Sequence, residues 1–134
     1  GQRRLARNLL REVVGQYIGA DPDTVQVLYE IQQVAALMRF ELERGNVDGF
    51  AALLDRHWAL SRKMDMGCTN TCIDQIFLSV EDLIDGRMIC GAGGGGFLQV
   101  VMKKQVTAEQ LQERLRAVFA DSGVEVWRCE LAMD

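Results

Sequence analysis

The apolar positions of this chain fall into helical periods for the first two-thirds of its length and into short runs thereafter. Leu5, Leu9, Leu10, Val13, Val14 and Tyr17 recur at three- and four-residue spacing and stop near Gly19, which predicts an amphipathic helix. Asp21-Pro22 then supplies a capping side chain followed by a proline at the first helical position. The helix it opens carries Leu28, Ile31, Val34, Ala35, Met38 and Leu42 and is ended by Gly45-Asn46. A third helix holds Phe50, Leu53, Leu54, Trp58 and Met64 and runs out at Gly67. The fourth begins at Asn70 or Thr71 and continues through Ile73, Ile76, Phe77, Val80 and Leu83 to Asp85-Gly86.

Beyond Gly86 the period changes. Met88-Ile89-Cys90 and Phe97 to Met102 are apolar runs separated by glycines, which reads as strand, turn, strand. Thr107 and Gln110 stand at capping-box spacing before a helix containing Leu111, Leu115, Val118 and Phe119. Asp121-Ser122-Gly123 closes that helix, and Val124 to Leu131 is expected to form a last strand. Trp58 and Trp127 are both expected in the core. The sum is a helix-rich α+β chain whose tail has the strand, strand, helix, strand order of a ferredoxin-like split βαβ unit. The strand that should open that unit is missing, because Gly1 stands directly before helical sequence. In that topology the opening strand is central, so its neighbours would be left with unpaired backbone groups. A strand supplied from elsewhere is therefore expected.

Composition narrows the function. At 134 residues the chain can hold one core but not two. A net charge of −4 with no clustered Lys and Arg argues against a nucleic-acid face. No apolar run reaches the ~20 residues of a membrane span, and the basic start lacks the apolar stretch of a signal peptide. A cytoplasmic protein with reduced thiols is expected. Cys68 and Cys72 form C-x3-C without a second pair, so no metal site is assigned, and His57 is read as a half-buried histidine. Lys103-Lys104 is read as a charged guard at a strand end.

Five glycines in the six positions from Gly91 to Gly96 are the strongest chemical signal. Gly91, Gly93 and Gly96 satisfy G-x-G-x-x-G, yet a strand follows where a dinucleotide site needs a helix N-terminus. No Lys-Ser or Lys-Thr follows the last glycine, so a Walker loop is excluded as well. What remains is a backbone free to take positive φ, to approach another backbone closely and to present successive amides to an anion. A plain hairpin turn would need only two of these glycines, and each additional one costs folding entropy.

The run Gly86-Arg87-Met88-Ile89-Cys90-Gly91-Ala92-Gly93-Gly94-Gly95-Gly96-Phe97 resembles the third conserved motif of the GHMP kinases. Gly1-Gln2-Arg3-Arg4-Leu5-Ala6 is similar to the end of a T-G-x-x-R-x-A segment of the sugar-kinase branch. Gly67 to Asp74 is similar to that branch's loop, in which Ser or Thr plus Asn precedes a helix carrying I-D. Within the superfamily the stretch from Asn8 to Asp134 looks closest to the C-terminal end of bacterial fucokinases, including the bifunctional fucokinase/GDP-fucose pyrophosphorylases. Heptose 7-phosphate kinases come next.

The resemblance implies that residues 1–134 are a C-terminal domain. Its partner would be an N-terminal domain that carries the ATP phosphate loop and the catalytic Asp, so no catalytic residue is expected here. It implies ATP and Mg²⁺ as cofactors, both held mainly by that other domain, and a hexose such as L-fucose phosphorylated at its anomeric hydroxyl. Gly91, Ala92, Gly93, Gly94, Gly95 and Gly96 would brace the phosphate loop, and Arg4, Thr69, Asn70 and Asp74 would stand near the sugar. Thr71 and Asp74 also stand at capping-box spacing, so a helix cap competes with the site for this segment. The chain alone would be inactive, with a homo-oligomer or a strand-supplying partner possible. The rival from another class is a non-catalytic interaction or regulatory domain of the same fold.

Overall fold

The computed structural model describes residues 6–120 and 122–129. Helix α1 (Ala6–Ile18) leads to α2 (Pro22–Glu43) and α3 (Val47–Met64). A 3₁₀ turn (Met66–Cys68) precedes α4 (Thr71–Ser79), and a second (Glu81–Leu83) precedes strand β1 (Ile84–Ile89). Strand β2 (Leu98–Met102) and helix α5 (Ala108–Phe119) follow. The fold is α+β, rich in helix, with a two-stranded antiparallel sheet.

Local chemistry sets most of these boundaries. The Asp21 carboxylate accepts from the Thr24 N–H at 2.8 Å with Pro22 beside it, and the Asn46 side chain accepts from the Gly49 N–H. At α5 the Thr107 hydroxyl accepts from the Gln110 N–H while the Gln110 side chain accepts from the Thr107 N–H, a complete capping box. Each of these caps satisfies amides that have no partner within the helix.

Strand β1 pairs with β2 in the register Gly86↔Val101, Arg87↔Val100, Met88↔Gln99 and Ile89↔Leu98, with an irregularity between Ile84 and Gly86. Helix α3 lies against β1, and Gly86 is what allows it: a Cβ there would stand 2.4 Å from the Ala51 carbonyl oxygen. One core cluster joins Trp58, Cys68, Ile73, Phe77 and Ile89, with Trp58 and Phe77 edge to face at 6.0 Å. A second joins Val80, Ile84, Leu111 and Leu115. Val100 packs against both, so β2 stitches α3–α4 to α5.

Three features differ from the sequence expectation. The fourth helix stops at Ser79, and β1 begins at Ile84, four residues before Met88. Val80 and Leu83 keep a helical spacing only because a 3₁₀ turn intervenes, with the Leu83 N–H donating to the Val80 carbonyl at 2.8 Å. Residues 124–129 form no strand. Val124 and Val126 pack on the second cluster, and the Val126 N–H donates to Gln112 Oε1 at 2.9 Å instead of to a ladder. Among the described residues no strand runs beside this segment to exchange hydrogen bonds with it. Trp127 is accordingly 72% exposed, not core, and meets the exposed Phe97 ring edge to face at 6.2 Å.

Of the apolar stripe predicted for α1, Leu5 lies outside the described residues, Leu9 and Val13 are half-buried, and Leu10, Val14 and Tyr17 are exposed, as is Ile18. Val25, Tyr29, Leu37 and Phe40 on α2 are exposed as well. Among the described residues no helix is long and apolar enough to cross a membrane.

Candidate functional site: a glycine loop pinned to the start of α4

The chain before α4 is built to present backbone. The Asp65 carboxylate accepts from the Gly67 N–H at 3.0 Å and folds the 3₁₀ turn, which leaves the buried Cys68 with its carbonyl oxygen facing the glycine loop. Asn70, in extended conformation, caps α4 by accepting from the Ile73 N–H at 3.0 Å. The cap is therefore Asn70, and Thr71 is the first residue of the helix, which corrects the Thr71–Asp74 capping box. The Asp74 carboxylate instead accepts from the Thr69 hydroxyl at 2.7 Å.

The loop between β1 and β2 comes to meet this segment. Its base is closed where the Cys90 N–H donates to the Phe97 carbonyl at 2.9 Å. Gly91, Gly93, Gly94, Gly95 and Gly96 all have positive φ, the conformation that excludes most side chains. The Gly94 N–H donates to the Cys68 carbonyl at 2.8 Å, and the Gly94 carbonyl accepts from Asn70 Nδ2 at 3.0 Å.

The loop thus has two unlike faces. On the inner one, a Cβ at Gly93 would stand 2.3 Å from the Cys68 carbonyl oxygen, so only glycine fits. On the outer one, a Cβ at Gly91 or Gly96 would have no other atom within 4 Å. That outer face is bare backbone, open to a ligand or to another loop. The two open positions stand at the ends of the loop, and between them the Gly94 N–H is taken by the Cys68 carbonyl.

Of the residues singled out from sequence, the structure brings Thr69, Asn70 and Asp74 together with the loop Gly91, Ala92, Gly93, Gly94, Gly95 and Gly96. Arg4 lies outside the described residues. Arg87, the basic residue of the motif, is tied into the frame: its guanidinium pairs with Glu81 at 3.0 Å and lies 5.9 Å from the centre of the Phe77 ring. His57 sits apart on α3, its Nδ1 3.4 Å from Ser61 Oγ, and burial pushes its imidazole below the usual histidine value. Among the described residues no group of three or more His, Cys, Asp and Glu could hold a metal ion. Cys72, Cys90 and Cys129 are exposed.

Two participants were not legible as such. Cys68 serves through its backbone carbonyl, which its side chain does not announce. Asp55 accepts from the Arg87 N–H at 2.7 Å, 32 residues away in sequence, and no local pattern points to that pairing.

No family model matches the chain. Over 133 residues, 99% of this chain, it is 29% identical to a bifunctional fucokinase/GDP-fucose pyrophosphorylase of Arabidopsis thaliana. Over 115 residues, 86% of this chain, it is 27% identical to an L-fucokinase/L-fucose-1-P guanylyltransferase of Bacteroides fragilis. The chain spans 12% of the length of each of these relatives. Its similarity is thus to part of proteins whose names carry both a fucokinase and a nucleotidyl-transfer activity, and it extends over nearly the whole of this chain.

Proposed function

We propose that this chain is the C-terminal domain of an ATP-dependent sugar kinase of the GHMP class, acting on the anomeric hydroxyl of a hexose such as L-fucose. The observation that carries the reading is the glycine loop: five positive-φ glycines pinned on one face by Cys68 and Asn70 and bare on the other. A loop needed only to join two strands would not require that many glycines. The fucokinase names of the two relatives support the substrate class.

In this reading the bare face of Gly91 and Gly96 lies against the ATP phosphate loop of an N-terminal domain, and Thr69 and Asp74 border the sugar. Phosphoryl transfer depends on positioning and charge stabilisation, so a rigid brace behind the phosphates contributes by fixing geometry. Mg²⁺ would neutralise charge on the transferring group. The described residues of this chain offer no metal cluster, and the reading assigns the ion to the N-terminal domain. The exposed apolar residues of α1 and α2 suit burial against further protein. A cytoplasmic setting goes with ATP as phosphoryl donor.

A second reading, a non-catalytic interaction domain, draws on the outer edge of β2, which is unpaired among the described residues and suits addition of a partner's strand. The two separate in one assay. The full-length polypeptide containing this chain is incubated with Mg·ATP and a panel of hexoses and heptose phosphates, and ADP release is followed. Turnover confined to L-fucose or a close relative is expected. Turnover of heptose 7-phosphate alone would move the substrate, and none with any sugar would leave the interaction domain.

A further inference from the structure

The side chain of Asn70 is engaged at both ends. Its Oδ1 accepts from the Ile73 N–H in the first turn of α4, and its Nδ2 donates to the Gly94 carbonyl in the middle of the glycine loop. The same Gly94 donates its N–H to the Cys68 carbonyl two residues before Asn70. Gly94 is therefore held at both its N–H and its carbonyl by residues 68–70, as it would be by a neighbouring strand, with the carboxamide replacing a backbone donor. The two contacts also fix the amide's orientation, since one partner is a donor and the other an acceptor.

We infer that Asn70 is a positioning residue that couples the first turn of α4 to the shape of the glycine loop, in place of bonding substrate hydroxyls directly. Few side chains can do both. Asp lacks the donor, and Ser has the acceptor but is one bond too short to reach the loop as well. The loop has reason to need such a tether, because five glycines with positive φ lose more conformational freedom on ordering than other residues would. Gly93, which tolerates no side chain against Cys68, brings the two segments close enough for the bond to form. The coupling stands on this geometry alone, and only its effect on turnover rests on the kinase reading.

Amide hydrogen exchange of the labelled 134-residue chain tests the coupling, with Asn70→Asp as the variant. Asp retains the acceptor for the Ile73 N–H and turns a second carboxylate oxygen toward the Gly94 carbonyl. The expected result is an Ile73 amide protected to within about twofold of the parent, with the Gly94 amide exchanging about five- to tenfold faster. Unchanged protection at Gly94 would overturn the coupling. So would loss of protection at Ile73 with Gly94 unchanged in a folded variant, which would make Asn70 a cap and nothing more. Should Asn70→Asp fail to fold, Asn70→Ser keeps the capping acceptor and is read by the same two amides.

In the full-length polypeptide the Asn70→Asp change is expected to lower kcat about tenfold with the sugar KM within twofold. A raised sugar KM at constant kcat would place Asn70 on the substrate and overturn the positioning role. A parent inert toward every sugar would remove the kinase reading and leave the exchange result to decide the coupling.

Discussion

The two outer edges of the small sheet are treated in opposite ways. Along β1 the edge is covered in part: α3 lies against it, Gly86 lets the Ala51 backbone approach, and the Arg87 N–H is taken by the Asp55 carboxylate. Along β2 the outward amides and carbonyls of Leu98 and Val100 have no hydrogen-bond partner among the described residues. The alternation of an antiparallel ladder explains the assignment. Cys90 bonds Phe97, so the pairs Ile89↔Leu98 and Arg87↔Val100 turn their backbone groups away from each other. Where Arg87 turns outward it meets Asp55, and where Val100 turns outward it meets no strand. A helix lying on an edge leaves less room for a further strand there, whereas an open edge retains its capacity to pair.

That contrast can be broken most forcefully at Gly86. Gly86→Ala places a methyl group against the Ala51 backbone, which cannot rotate away, and is expected to cost about 3 kcal/mol in urea unfolding. A cost under about 1 kcal/mol would mean that α3 does not sit on β1 as described.

The next largest effect compares the two edges directly. Asp55→Ala strands the Arg87 N–H and removes a charged acceptor, with an expected loss of about 1–2 kcal/mol. Val100→Pro removes an amide that bonds nothing among the described residues, so it should cost only what is lost in packing, about 1 kcal/mol or less. If a strand docks on β2 in the longer polypeptide proposed above, Val100→Pro becomes the costlier of the two there. Equal costs in both settings would erase the difference between the edges.

The smallest effect belongs to His57, on the helix that lies against β1. Burial holds its imidazole below the ordinary value of 6.5, so between those two values the unfolded chain binds more protons than the folded one. The neutral ring's contribution is complete above about pH 6.5 and is lost as pH falls through the depressed value. Thermal unfolding followed from pH 7.5 to 5 should show a slight decline that His57→Gln flattens.

Sequence revealed most where the determinants are local. Asp21-Pro22 and Thr107 with Gln110 mark their helix starts because cap and amide lie within three residues of each other. Ile84 was harder, since Ile76, Phe77, Val80 and Leu83 continue a helical spacing across a turn and disguise the onset of β1. Residues 124–129 have strand composition, but a strand exists only beside a neighbour, and Trp127 therefore stands in solvent. At the site, the glycine loop was visible as unusual sequence, and the segment Thr69 to Asp74 through its resemblance to a sugar-kinase loop. That Asn70 bonds Gly94 was not, because a carbonyl 24 residues away has no signature of its own.

The open edge also has a consequence for handling the molecule. Leu98-Gln99-Val100-Val101-Met102 is an uncharged, largely aliphatic strand with no proline, the composition that stacks readily into intermolecular cross-β layers. The two lysines that follow it, Lys103 bonded to the Asp82 carbonyl and Lys104 paired with Asp48, then act as gatekeepers whose positive charges resist in-register growth. Solubility of the isolated chain is accordingly expected to depend on those two charges more than on the net charge of the whole.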